Sequence, residues 1–183
     1  LTFIGSKLER FQSLSDTISN AKDLIDSCKP KLIEIKKALG SNDEFYLNIS
    51  SAVVQNAQNM LVQAVNEIIE ASNSRSFGVS LSSDKASIQT ALDITFKMGS
   101  FDMNSTLKSH YKKNLDGIKN LAGQLGISTL SPKEKVQQEK TTAERKLREI
   151  QNQTFFQNEI NAANNEMAKI KEWQFLRSQA DRN

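Results

Sequence analysis

Apolar residues recur every third or fourth position along most of this chain, and that period predicts helix after helix. Residues 1–14 hold Gly5 and then Leu8, Phe11 and Leu14, which fits a leader or a short docking helix. Ile18, Ala21, Ile25, Cys28, Leu32, Ile35 and Leu39 then step 3, 4, 3, 4, 3, 4, one face of a helix over 15–39. Pro30 sits inside it. Its ring clashes with the preceding turn and it donates no backbone hydrogen bond, so a kink or break is expected near Cys28–Lys29, and the stripe, which keeps phase across it, favours a kink. Gly40 is expected to end the helix in a left-handed turn.

Ser41-Asn42-Asp43-Glu44 reads as a capping box that opens a second helix over 41–72. Tyr46, Ile49, Val53, Ala57, Met60 and Ala64 make one stripe on it; Val54, Leu61, Val65, Ile68 and Ala71 widen that stripe around the cylinder. A helix apolar over so much of its surface needs neighbours on two sides, so this is the expected central helix. Residues 73–83 read as a loop, held to the core by Phe77, Val79 and Leu81. A third helix is expected over 84–98, with Ile88, Ala91, Leu92, Thr95 and Met98 inward and Gly99 at its end. A fourth covers 105–125 through Leu107, Tyr111, Leu115, Ile118, Ala122 and Leu125, and Gly126 closes it.

Ser131-Pro132-Lys133-Glu134 combines an N-cap serine, a proline at the first helical position and a glutamate at the third. No strong breaker follows, so a helix over 132–178 would measure roughly 70 Å. Val136, Ala143, Leu147 and Ile150 are sparse in its first half. Phe156, Ile160, Ala163, Met167 and Ile170 step 4, 3, 4, 3 in the second. The phase shift between the two stripes predicts a bend or break near 151–154, with Phe156 and the second half packed on the body and the first half more exposed.

Composition supports the same class. Seven glycines and two prolines in 183 residues are too few for the frequent turns of a β-sandwich. The expected architecture is an all-α antiparallel bundle of about five helices with a long C-terminal helix, in a single helical domain over 1–183: leader 1–14, body 15–126, long helix 131–178. The lone Cys28 excludes an internal disulfide, and no apolar run approaches the length of a membrane span. A cytoplasmic setting is expected. Opening on Leu1 rather than methionine, the chain reads as part of a larger protein.

Catalytic chemistry finds no foothold in the motifs. The single histidine, His110, cannot supply a two-histidine zinc site or the paired Glu-x-x-His motifs of a di-iron bundle. No glycine pattern of a phosphate-binding loop is present. Cys28 lies on an apolar stripe, where thiols are mostly inert. Asp23/Asp26 and Glu67/Glu70 are spaced as solvated helical pairs. No catalytic residue, cofactor or metal is therefore expected.

Three surfaces remain. Asn56, Asn59, Gln63 and Asn66 step 3, 4, 3 and line amides along one side of the most apolar helix; they suit a bound peptide or partner helix, or simply a solvent strip or amide contacts to a neighbouring helix. Trp173 and Phe175 would form a hot spot if exposed. Lys108, Lys112, Lys113 and Lys119 make a basic face that Asp116 dilutes. The favoured function is a non-enzymatic protein-interaction or scaffolding module. Its partner would be another protein or a helix of the same protein, with homo-oligomerisation through the long helix as one form. The first alternative is binding of nucleic acid or an anionic membrane surface through the basic face at 108–119; nucleic acid is the less favoured partner. The second is a regulatory or targeting domain of a larger enzyme.

Overall fold

The structure, a computed structural model, describes residues 2–74 and 81–180. The described residues form six α-helices and no strand: α1 (Thr2–Gln12), α2 (Ile18–Leu39), α3 (Glu44–Ser74), α4 (Leu81–Met98), α5 (Ser105–Gln124) and α6 (Pro132–Ala180). The sixth, beyond the five expected, is the leader. Ile4 and Phe11 of α1 are buried, and Leu8 packs against the core. An apolar residue on each of three turns is enough to dock a helix too short to persist alone. The chain divides into two compact units, Leu1–Ser131 and Pro132–Asn183.

In the first unit α3 is central, touching α1, α2, α4 and α5. Its two-sided apolarity is the cause. Val53, Val54, Ala57, Met60, Leu61, Ala64 and Val65 are all buried, facing different neighbours. Leu24, Ile25 and Leu32 of α2 and Ile88, Leu92 and Met98 of α4 complete the interior. Each such side chain contributes about 1.5–3 kcal/mol by leaving water.

The helix ends follow local chemistry, with corrections to the expected caps. Thr17 caps α2, its hydroxyl accepting from the Asn20 N–H at 3.0 Å. Pro30 does not break α2, which is helical from Ile18 to Leu39. Gly40 ends it at φ 93°, ψ 164°, a positive-φ extended conformation rather than the expected left-handed turn. The cap of α3 is Asp43, not Ser41: its Oδ1 accepts from the Tyr46 N–H at 2.9 Å. Asp43 stands three residues before that donor, and its carboxylate suits the positive helix end better than a hydroxyl. Asn104 caps α5 through the Leu107 N–H at 2.9 Å.

At the other end of α5, Gly126 takes φ 65°, its N–H donating to Gly123 O at 3.0 Å, and the Ile127 N–H donates to Ala122 O at 2.8 Å. These two bonds are a Schellman closure, with Ile127 buried as its apolar contact. Of the loop expected over 73–83, residues 73–74 belong to α3 and residues 81–83 to α4, while residues 75–80 lie outside the described residues. The anchors Phe77 and Val79 lie outside the described residues, as does the side chain of Leu81.

The second unit is α6, one uninterrupted helix that starts at Pro132, the proline expected at its first position. Of the bend or break expected near 151–154, the break does not occur: Gln151, Asn152, Gln153 and Thr154 are ordinary helix formers or tolerated polar residues, and a shift of stripe phase costs the backbone nothing. The expected burial of the second half is not found either. Phe156, Ile160, Met167 and Ile170 are exposed, as are Val136, Leu147 and Ile150 of the first half. Periodicity defines a face of a helix; it does not define what covers the face.

Candidate functional site

The most unusual surface is α6. Phe156 is 64% and Trp173 74% exposed, values that belong to side chains without a packing partner. Because the helix is unbroken, the two stripes keep a fixed angle. At about 100° per residue, Val136, Ala143, Leu147 and Ile150 centre roughly 150° from Phe156, Ile160, Ala163, Met167 and Ile170. The halves of α6 thus present apolar faces to nearly opposite sides. Phe155 adjoins Phe156 edge-on, ring centroids 5.9 Å apart at 71°, with both rings exposed.

Trp173 and Phe175 are both exposed, but they do not form one hot spot. Two residues apart on a helix means about 200° of rotation, so the rings point to opposite sides. Trp173 instead shares a side with Ile170 and Leu176, three residues away in each direction.

The amide seam of α3 is divided by the structure. Asn56 is committed inside the fold: its Nδ2 donates to Ala52 O at 2.8 Å and its Oδ1 accepts from Gln12 Nε2 of α1 at 3.2 Å. Asn59 and Gln63 are exposed. Asn66 lies at the rim of a groove between α3 and α5, of about 240 Å³, floored by Val65, Ile69, Ile118 and Leu121. Lys113 stands on the opposite rim. One member each of the amide seam and the basic face therefore line the same groove, a neighbourhood that neither helix discloses alone. Gln58, near the seam in sequence, is buried, and its Nε2 has no hydrogen-bond partner among the described residues.

The basic face is thinner than its sequence. Lys108, Lys112 and Lys113 are exposed, whereas Lys119 lies over the Phe96 ring of α4, 5.4 Å from its centroid. Its alkyl stem and charge serve the α4–α5 contact.

The fold assembles two carboxylate clusters, one of which takes up Asp26, expected as half of a solvated helical pair. Asp102, in the α4–α5 connection, accepts from the Tyr46 hydroxyl at 2.7 Å and pairs with Lys36 at 2.7 Å, while its carbonyl accepts from the Ser50 hydroxyl at 2.7 Å. The Lys36 ammonium, followed by the Tyr46 hydroxyl, holds the Asp102 carboxyl below the usual carboxylate range. Burial, reinforced by the Asp102 carboxylate, pushes the Tyr46 phenol up to about 12. This cluster ties α2 and α3 to the connection. On α2, Asp26 pairs with Lys22 at 3.0 Å and with Lys97 of α4. Burial pushes its carboxyl up, but the hydrogen bonds from Lys97 and Lys22 outweigh that and leave it lowered. Each cluster joins separate parts of the first unit: Asp102 links α2 and α3 to the α4–α5 connection, and Asp26 links α2 to α4.

Cys28 is fully buried, and burial raises its thiol pKa, as expected of a structural cysteine. His110 is exposed. Among the described residues no group of three or more His, Cys, Asp and Glu could hold a metal ion, and no helix is long and apolar enough to cross a membrane. Comparison of the chain with protein-family models, with curated proteins and with solved structures finds no match.

Proposed function

We propose that this chain is a non-enzymatic protein-interaction module whose partner face is the second half of α6. One observation carries the reading. Phe156, Ile160, Met167 and Ile170 repeat at 4, 3, 4, 3 spacing with Ala163, and all four are more than half exposed. That spacing is the seam of a coiled coil, which is stable once a second helix fills it. Large apolar side chains arranged in a line on a solvated helix are far from the scattered singles of an ordinary surface. The amide seam is a weaker candidate, because Asn56 is bonded within the fold. The basic face is weaker too, with Lys119 engaged by Phe96.

The test is capture from a cell lysate by the immobilised chain, compared with Ile160→Asp/Met167→Asp and with Asn59→Ala. Loss of the captured proteins in the α6 variant, with helical circular dichroism intact and Asn59→Ala unchanged, is the expected result. An identical captured set for all three refutes the reading.

A further inference from the structure

We infer that the occupant of this face is a second copy of the chain, its α6 lying parallel and in register, an inference that rests on the reading of α6 as the interaction face. The flanks of the stripe decide it. With Ile160 and Met167 at a and Phe156, Ala163 and Ile170 at d, the g positions are Glu159, Glu166 and Trp173, and the e positions are Gln157, Asn164 and Lys171. In a parallel pair each g residue faces the e residue five positions further along the other helix. Glu166 then meets Lys171 of the second copy, twice by symmetry, and Glu159 meets Asn164; no like charges oppose. In an antiparallel pair g faces g, and Glu166 confronts Glu166 or Glu159 of the second copy according to register. Glu166 is free to turn outward, because its pairing with Lys169 at 3.0 Å joins two exposed side chains and is worth little. Gln153 and Gln174, at the a positions on either side, end the apolar seam with amides, and amides at a reward alignment with themselves.

The seam spans about 21 Å at 1.5 Å per residue, so the association is concentration-dependent rather than obligate. Sedimentation equilibrium of the full chain across a concentration series reads it directly, and the expected mass at the top of the series is that of two chains. Glu166→Lys and Lys171→Glu each weaken the dimer, by roughly three- to tenfold in dissociation constant; the double variant, which swaps the charges, restores it. Ile160→Asp yields a monomer. Gln174→Cys becomes a covalent dimer on oxidation while the parent chain, whose Cys28 is buried, does not.

A Glu166→Lys variant that associates more tightly is the signature of the antiparallel pair and overturns the proposal, as does a three-chain mass. A chain monomeric at every concentration also overturns it. If Ile160→Asp/Met167→Asp nonetheless abolishes capture from lysate, the interaction face stands and only its occupant was misassigned. A dimer that persists unchanged in Ile160→Asp overturns the assignment of the self-association to this face.

Discussion

Asp102 shows how much a single residue can organise. Its carboxylate pairs with Lys36 and accepts from Tyr46, 56 residues away along the chain. A carboxyl lowered in the folded state stabilises the fold above its unfolded pKa, near 3.9, and that contribution disappears as the pH falls through the folded value. A phenol raised to about 12 works at the other limb. It stabilises the fold below the unfolded value near 10, and the contribution fades as the pH rises towards the folded one. Urea midpoints are therefore expected to fall below about pH 4 and above about pH 10. Asp102→Asn should flatten the acid limb and Tyr46→Phe the alkaline one, and Tyr46→Phe should cost about 1.5 kcal/mol at neutral pH. An acid limb unchanged by Asp102→Asn would show that the pairing does not survive in solution. None of this was visible in the sequence: Asp102 stands in a short connection, and its partners come from helices whose alignment only packing decides. Cys28 was legible, because a thiol on an apolar stripe has few alternatives to burial.

At the scale of elements, the helices were legible wherever one face is apolar and a cap is present. Helix α5 follows this pattern, with Gly126 at its close and Leu107, Ile118 and Ala122 buried. Helix α2 carries a local conflict in Pro30, which is exposed and stands in the middle of an unbroken helix. Its side chain contributes no core contact, and the backbone bond it forgoes belongs to the Asp26 carbonyl. Pro30→Ala is expected to raise stability by about 1–3 kcal/mol, measured by thermal or urea unfolding. A loss of stability instead would mean that the geometry imposed by proline is needed to align Asp26 with Lys97. The misplaced cap of α3 has an equally local cause. Ser41, Asn42 and Asp43 are all capping residues in a row, and which one caps depends on where α2 delivers the chain.

For the whole molecule, the buried apolar side chains among the described residues run from Ile4 to Ile127, within the first unit. A chain ending at Ser131 is therefore expected to unfold cooperatively, with a midpoint close to that of the full chain. The amides of α3 should exchange with solvent far more slowly than those of α6 in dilute solution. A fragment 1–131 that fails to fold would place part of the stabilising free energy in α6. Protection of α6 that rises with protein concentration would accord with a partner helix of its own kind.

Local pattern along the chain is enough to establish the helical class, the central place of α3 and the existence of a long C-terminal helix. Those follow from periodicity, from the spread of apolar residues around one helix and from the scarcity of breakers, all of which act within a few turns of chain. Packing between helices settles which stripes are covered and which are bare, how Asn66 and Lys113 come to share a groove, and what Asp102 binds. These depend on distances between helices, and a one-dimensional pattern carries no term for them: Phe156 and Leu92 look alike along the chain, yet one is bare and the other buried.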